Sequence, residues 1–278
     1  MTMNLDQLEG YRPGKATLRG LEFSFLEWGD PNSPPMVLLH GLTGHAHTWD
    51  LFANSLKDEY HIFALDQRGH GDTGWADPPQ YNTEDFVEDV RELARHWGIS
   101  RFTLIGLSMG AHNALDFASR HPEMVDRLVP VDIGPSLPSL RDPERQARWD
   151  PLYQDFDTLD EAYADAVESN PIADPEVIKY RVRHNLKRTD DGRWTPKCTR
   201  DVALNWKPDD LSETIKEIQC PTLIVRGGVS DVLSVEVAES MRTAIPDCEL
   251  ATIAGSGHSV PQDKPADFEA AVREFLSS

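Results

Sequence analysis

The feature that most constrains this chain is the stretch from Phe102 to His112, which reads FTLIGLSMGAH. The mostly apolar run from Phe102 to Ile105 predicts a buried strand, and a helix-forming run begins at Met109. Between them, Ser108 has a glycine two residues before it and another two residues after it. Because glycine lacks the side chain that would collide in a tight strand-to-helix turn, this pattern predicts a turn that exposes the Ser108 hydroxyl.

The helix that follows this turn bears directly on the chemistry expected of Ser108. Its first N–H groups and the positive end of its dipole point at the turn, where they would stabilise negative charge on a substrate oxygen. We therefore predict that Ser108 is a nucleophile. Gly-x-Ser-x-Gly also occurs in ordinary turns, so this assignment depends on the rest of the chain.

Composition sets the class of protein and its partners. The chain has 278 residues, of which 39% are hydrophobic and 27% are charged, which is typical of a globular protein with one α/β unit. The formal net charge of -20 argues against nucleic acid and anionic membranes as partners, because both would be repelled. It favours neutral or cationic small molecules.

Cysteines and the first residues of the chain indicate the compartment. Cys198, Cys220 and Cys248 are widely spaced and odd in number, so we expect reduced thiols in a cytoplasmic protein. Residues 1–15 lack the apolar segment of a signal peptide, and no window approaches the length of a membrane span. We expect no contact with membranes, and a monomer or a homodimer.

Strand and helix patterns alternate over most of the chain, which predicts an α/β fold. An apolar–polar alternation over residues 16–28 predicts an antiparallel hairpin. Further strands are predicted over residues 36–40, 61–65, 102–105, 128–133, 222–225 and 249–253. Helices are predicted near Thr48 and over residues 84–97, 109–121, 235–244 and 265–276, with Thr83 as the cap of the second.

The alternation stops between about residues 135 and 207, where charged helical stretches are interleaved with aromatic residues. This change predicts a helical cap (135–207) inserted into a core made of residues 1–134 and 208–278. Its aromatic residues favour an apolar pocket, although we expect at least half of them to pack the cap onto the core. They are Trp149, Tyr153, Phe156, Tyr163, Tyr180, Trp194 and Trp206.

A serine nucleophile needs a base and an acid that orients the base, and the strand ends supply candidates. His258 follows the last predicted strand, and Asp231 follows the strand before it. Because parallel strands end at the same edge of a sheet, both would lie near Ser108. Asp132, at the end of its own strand, is the alternative acid. We favour Asp231 because its spacing before the histidine fits the usual pattern.

These pieces together resemble the α/β-hydrolase superfamily over nearly the whole chain. The motifs that carry the resemblance are HGLTG at 40–44, DQRGHG at 66–71 and GLSMG at 106–110, followed by an acid and a histidine in the order of that superfamily. The resemblance implies a mostly parallel eight-stranded sheet flanked by helices. It also implies the roles of the site residues: Ser108 as nucleophile, His258 as general base and acid, Asp231 as the orienting acid, and the backbone N–H groups of Leu42 and Met109 as the oxyanion hole.

The resemblance implies a class of reaction as well. A serine in place of an aspartate excludes the branches that open epoxides or remove halides. What remains is hydrolysis of carboxylic esters or lactones, of small to medium size and uncharged, through an acyl-enzyme. The turn GLSMG, which carries Ser108, is similar to the corresponding turn of enol-lactonases and perhydrolase-like esterases. The alternatives are a carbon–carbon hydrolase of vinylogous diketones and a ligand receptor without turnover.

Several histidines raise the question of a metal, but their pattern does not support one. His45 and His47 lack carboxylate or cysteine neighbours at a recognisable ligand spacing, so we predict no metal and no cofactor. His40 and His70 are expected to be loop histidines with hydrogen-bond partners, and His112 either lines the site or packs. Asp66 is expected to hydrogen-bond the turn over residues 68–71.

Overall fold

The computed structural model describes residues 10–137 and 150–278, together with Leu5 and Leu8. Ten strands are present in this part of the chain. They are β1 (Arg12–Leu18), β2 (Leu21–Trp28), β3 (Pro35–Leu39), β4 (His61–Leu65), β5 (Phe102–Leu107), β6 (Val125–Val131), β7 (Leu186–Arg188), β8 (Trp194–Pro196), β9 (Thr222–Gly227) and β10 (Cys248–Ile253).

Nine α-helices accompany them in the same described part. They are α1 (Asp50–Leu56), α2 (Thr83–His96), α3 (Met109–Arg120), α4 (Leu159–Ser169), α5 (Pro175–Asn185), α6 (Arg200–Asn205), α7 (Val235–Ala244), α8 (Val260–Asp263) and α9 (Pro265–Leu276). None of them is long and apolar enough to cross a membrane.

Eight strands form one sheet in the order β1-β2-β4-β3-β5-β6-β9-β10. The hairpin of β1 and β2 is antiparallel, and β2 pairs antiparallel with β4, whereas all later neighbours are parallel. The predicted mostly parallel, eight-stranded sheet is thereby confirmed. Because the parallel strands run in one direction, the loops after β3, β5, β6, β9 and β10 emerge at one edge.

The inner strands are buried on both faces, which explains their continuous apolar runs. Every residue of β4, β5 and β9 is buried. Side chains alternate between two separate hydrophobic clusters, so Val37 and Leu39 pack on one face of the sheet while Met36 and Leu38 pack on the other. The sheet therefore has a fixed register, and this register positions the loops at its edge.

The structure differs from the predictions in two details. The cap of α2 is Asn82 rather than Thr83, because the Asn82 side chain and Asp85 form a capping box. The described residues 150–207 contain not only helices α4, α5 and α6 but also an antiparallel hairpin of β7 and β8 that is separate from the main sheet. The boundaries of the cap remain a prediction, and Trp149 lies outside the described residues.

Candidate active site

Ser108 occupies the turn between β5 and α3 in an unusual backbone conformation. Its φ is 54° and its ψ is -118°, a region that non-glycine residues rarely adopt and that costs about 1–3 kcal/mol. Hydrogen bonds hold the turn in place: the Ser108 N–H donates to the carbonyl of Val131 at 2.9 Å, and the N–H of His112 donates to the Ser108 carbonyl at 2.9 Å. The predicted tight turn is present.

The glycines on either side of Ser108 are required by close packing of the backbone. A Cβ atom on Gly106 would overlap the carbonyl group of Gly110. One on Gly110 would overlap the carbonyl oxygen of Leu39 in the same way. Helix α3 therefore starts against the sheet at a distance that only glycine permits.

This packing predicts that Gly110→Ala destabilises the protein by about 3 kcal/mol, because the Leu39 carbonyl belongs to a central strand and cannot move aside. Urea unfolding measures the change. Gly74→Ala is the matched control, since its added Cβ would meet its nearest neighbour at 3.6 Å, an ordinary contact. Equal free energies of unfolding for the two variants would contradict the prediction.

His258, in the loop after β10, contacts both neighbours that a catalytic base requires. Its Nε2 lies 2.9 Å from Ser108 Oγ, and its Nδ1 lies 2.7 Å from Oδ2 of Asp132. When the proton of the neutral imidazole is on Nδ1, this N–H donates a hydrogen bond to the carboxylate. Nε2 is then the acceptor for the serine hydroxyl. The His258 side chain is 30% exposed, whereas the Asp132 side chain is fully buried. The serine end of this chain of hydrogen bonds is therefore the end that a substrate reaches.

Asp132 directly follows β6 and is held by three donors. Its Oδ1 accepts from the backbone N–H of Gly227 at 2.8 Å. Its Oδ2 accepts from the Ser230 hydroxyl at 2.5 Å and from His258 Nδ1. These bonds connect the end of β6 to the end of the neighbouring β9, so the carboxylate is fixed in position before any substrate binds.

The prediction that Asp231 orients His258 is corrected by this geometry. The hydrogen bond from the imidazole goes to Asp132, while Asp231 is exposed in the loop after β9. The neighbouring Ser230 turns its hydroxyl to Asp132, so the loop that carries Asp231 supports the buried acid. Asp132 follows β6 with no intervening residue. Because β6 pairs with β5, the end of β6 lies beside Ser108.

The loop after β3 lies beside Ser108. A Cβ on Gly41 would be 3.1 Å from Ser108 Cβ, and Leu42 and Ser108 line the same pocket. The next residue, Thr43, has a φ of 61°, which a β-branched side chain disfavours. The side-chain amide of Asn185 donates to the Thr43 carbonyl at 3.2 Å and helps to hold this conformation. The assignment of the Leu42 and Met109 N–H groups to an oxyanion hole remains a prediction.

This contact predicts that Asn185→Leu lowers kcat by about 10-fold, because a released Thr43 carbonyl lets the disfavoured loop relax and displaces the Leu42 N–H. Steady-state turnover measures the effect. Asn54→Leu is the matched control, since Asn54 lies on α1 outside the pocket. An unchanged kcat in Asn185→Leu would show that this hydrogen bond does not position the loop.

A cavity of about 270 Å³ opens above Ser108 and His258. Loops at the edge of the main sheet form its floor, and α4, α5 and β8, all within the predicted cap, contribute walls. Of the aromatic residues singled out in the cap, Phe156 lines the cavity, whereas Trp206 packs with Tyr81 and Met109. The cavity is sized for a small molecule.

Beneath the loop after β3, His40 and Asp66 have structural contacts. His40 Nδ1 lies 2.8 Å from the Gly41 carbonyl, and its Nε2 accepts from the N–H of Gln67 at 3.0 Å. Burial lowers the pKa of His40 well below its usual value, so the ring is neutral. Burial raises the pKa of Asp66, while its carboxylate accepts from the N–H groups of Ala46 and Asp72. Asp66 thus has a structural role, but the donors to its carboxylate are Ala46 and Asp72 rather than the predicted residues 68–71.

Of the histidines singled out from the sequence, His112 has structural contacts. His112 is buried, with Nε2 3.0 Å from the Asp209 carbonyl, and its ring meets Trp206 edge-on, so it packs. Across residues 10–137 and 150–278, no three His, Cys, Asp or Glu side chains are grouped so that they could hold a metal ion.

Comparison with known proteins identifies the family of this arrangement. The family model of the α/β hydrolase fold matches residues 34–265. The chain belongs to this family. The matched range includes the Ser108 turn, Asp132 and His258, and this chain is a hydrolase of the α/β fold.

Individual α/β hydrolases resemble the chain over nearly its full length. An esterase of Mycobacterium tuberculosis is 30% identical over 268 residues, covering 92% of this chain and 86% of that protein. The 2-(acetamidomethylene)succinate hydrolase of Mesorhizobium japonicum is 25% identical over 251 residues, covering 89% of each. A solved α/β hydrolase from Novosphingobium aromaticivorans is 26% identical, with a TM-score of 0.83, covering 96% of this chain and 98% of that one.

Proposed function

We propose that this α/β hydrolase cleaves carboxylic esters or lactones of small to medium size through an acyl-enzyme on Ser108. The observation that carries the proposal is the position of His258, which contacts Ser108 Oγ at 2.9 Å and Asp132 at 2.7 Å. An imidazole in this position increases the nucleophilicity of a serine. The names of relatives that are called esterases support the same class of reaction.

Acylation follows from these contacts. Ser108 Oγ attacks the ester carbonyl while His258 Nε2 takes the hydroxyl proton, and buried Asp132 stabilises the imidazolium that forms. The carbonyl oxygen becomes an oxyanion, which the N–H groups of Leu42 and Met109 bind. When the tetrahedral intermediate collapses, the C–O bond to the alcohol breaks and His258 gives the proton to the departing oxygen.

Deacylation uses the same groups in the reverse order. His258 takes a proton from water as the water oxygen attacks the acyl carbonyl, and it returns the proton to Ser108 Oγ when the acid leaves. No residue needs to change its position between the two halves of the reaction. Gly227 and Ser230 hold the Asp132 carboxylate, and this carboxylate in turn holds the imidazole of His258.

Turnover of a matched substrate panel tests this proposal. We expect p-nitrophenyl acetate, butyrate and octanoate to be hydrolysed with a burst of p-nitrophenol, which reports the acyl-enzyme. A vinylogous diketone tests the carbon–carbon hydrolase alternative, and a strong preference for it would overturn the ester assignment. The absence of a burst and of turnover on every ester would favour a ligand receptor without catalysis.

A further inference from the structure

The wall of the active-site cavity carries a cationic side chain that the triad does not use. Arg181 lies on helix α5 of the cap and lines the same cavity as Ser108 and His258. Its side chain therefore borders the space that a substrate occupies.

The hydrogen-bond partner of Arg181 is neutral. Its Nη1 donates to the side-chain oxygen of Gln262 at 3.0 Å. Among residues 10–137 and 150–278, no carboxylate lies within the 4.0 Å of an ion pair with this guanidinium. Asp263 is the carboxylate that acts on it at longer range, but its two oxygens accept from Asn170 and from the N–H of Gly257, at 2.8 Å each.

Burial makes this arrangement costly for the free protein. Desolvation lowers the pKa of Arg181, although a guanidinium stays protonated in proteins. Its side chain is partly accessible because it borders the cavity, while the surrounding cap and core keep it from bulk water. A buried charge with no carboxylate at ion-pair distance is unfavourable, so an anionic ligand group that contacts the guanidinium directly would relieve the cost and bind tightly.

We propose that Arg181 binds a carboxylate of the substrate, so that the preferred substrates are esters that carry a free acid group. This inference rests on the proposed function, because it names the substrate class of the same site. A carboxylate fits better than a phosphate, since a single guanidinium with a neutral amide beside it balances one negative charge. The planar fork of arginine also matches the two oxygens of a carboxylate.

The inference revises the expectation of an uncharged substrate. That expectation came from the net charge of -20, which describes the field of the whole surface. Within a cavity, the nearest charged group dominates because screening by water is weak there. His45, buried nearby, is kept neutral because desolvation lowers its pKa, so Arg181 supplies the positive charge on this wall. Asp165 of α4 also lines the cavity, but it is exposed to solvent and accepts from Gln154 at 3.2 Å.

Pairs of substrates that differ only in charge test the inference. The acyl arm compares monomethyl esters of dicarboxylic acids, from succinic to suberic, with the matching methyl esters that end in a carboxamide. The alcohol arm compares meta-carboxyphenyl butyrate with its carboxamide. In at least one arm we expect the acid to have about 30-fold higher kcat/KM, equivalent to about 2 kcal/mol.

Variants assign the preference to Arg181. Arg181→Gln should bring acid and carboxamide to within about 2-fold of each other, and Arg181→Lys should retain part of the preference, since it keeps the charge and loses the fork. Arg183→Gln is the matched control, because it removes the same charge from the exposed side of α5, outside the cavity. If Arg181 merely ties the cap to Gln262, its variants will lower the melting temperature without changing the ratio of acid to carboxamide.

Calorimetric binding to Ser108→Ala separates this inference from the proposed function. Monomethyl adipate should bind more tightly than methyl adipamate, and adding Arg181→Gln should abolish the difference. Equal binding of the two compounds, or a preference that survives Arg181→Gln, would overturn the carboxylate site. Tight, Arg181-dependent binding combined with no hydrolysis of any ester by the wild type would support the site and refute the proposed reaction.

Discussion

Replacing Ser108 with alanine is expected to lower kcat for p-nitrophenyl butyrate by between about 10⁴- and 10⁶-fold. The Ser108 oxygen forms the bond to the acyl group, and it lies 2.9 Å from His258 Nε2. In the described part of the chain, no other side chain is placed to take over this role. The residual rate reports what the oxyanion loop and the cavity contribute without covalent catalysis.

The fold should survive this substitution. The hydrogen bonds of residue 108 to Val131 and His112 are made by the backbone, so they remain in the variant, and alanine fits the same turn. Circular dichroism and the melting temperature check this point. Ser119→Ala, further along α3, is the control, because it removes one hydroxyl far from the cavity and should keep full activity. A Ser108→Ala enzyme with more than about a tenth of the wild-type kcat would refute nucleophilic catalysis by this residue.

Exchange of Asp132 for asparagine is expected to lower kcat by about 10⁴-fold, the size seen when a catalytic triad loses its carboxylate. The amide cannot accept from His258 Nδ1, Ser230 and Gly227 together, so it favours the wrong imidazole tautomer. Because one buried donor is then unsatisfied, we also expect about 1–3 kcal/mol lower stability.

The matched control is the same exchange at the acid first predicted from the sequence. Asp231→Asn should keep kcat within about 3-fold of the wild type, because its side chain is exposed and the His258 imidazole bonds to Asp132. Both variants are assayed on the same ester under the same conditions. An inactive Asp231→Asn beside an active Asp132→Asn would reverse the assignment.

The sequence was sufficient to predict the sheet and to select Ser108 and His258, two of the three residues that the structure brings together at the candidate site. Buried parallel strands such as β4 and β5 carry continuous apolar runs, which are easily recognised. Glycines on both sides of Ser108 indicate a turn in which the backbone packs too closely for side chains. His258 was identifiable because it lies in the loop after the last strand. The family model now confirms the fold that these patterns predicted.

The choice between Asp132 and Asp231 depended on tertiary structure. Both acids follow strands that end at the same edge of the sheet, and spacing along the chain does not report which one reaches the imidazole. The decisive contacts are between residues far apart in the sequence, such as that of Gly227 with Asp132. The one local signal was that Asp132 follows its strand without an intervening loop.

The placement of Arg181 in the cavity wall also depended on tertiary structure. In the sequence it is one of two arginines in RVR at residues 181–183, on a charged helix with little periodicity. Whether such a side chain faces solvent or a cavity is decided by how α5 packs above the core. The β7–β8 hairpin was not predicted because each of its strands has three residues, which is too short a run to show an alternating pattern.

Covalent labelling with a fluorophosphonate tests most directly whether Ser108, His258 and Asp132 act as one unit. Intact mass and peptide mapping should show one adduct, on Ser108, that forms far more slowly in Asp132→Asn and at the wild-type rate in Asp231→Asn. An adduct on another residue, or labelling of Ser108 that is unaffected by Asp132→Asn, would contradict the account.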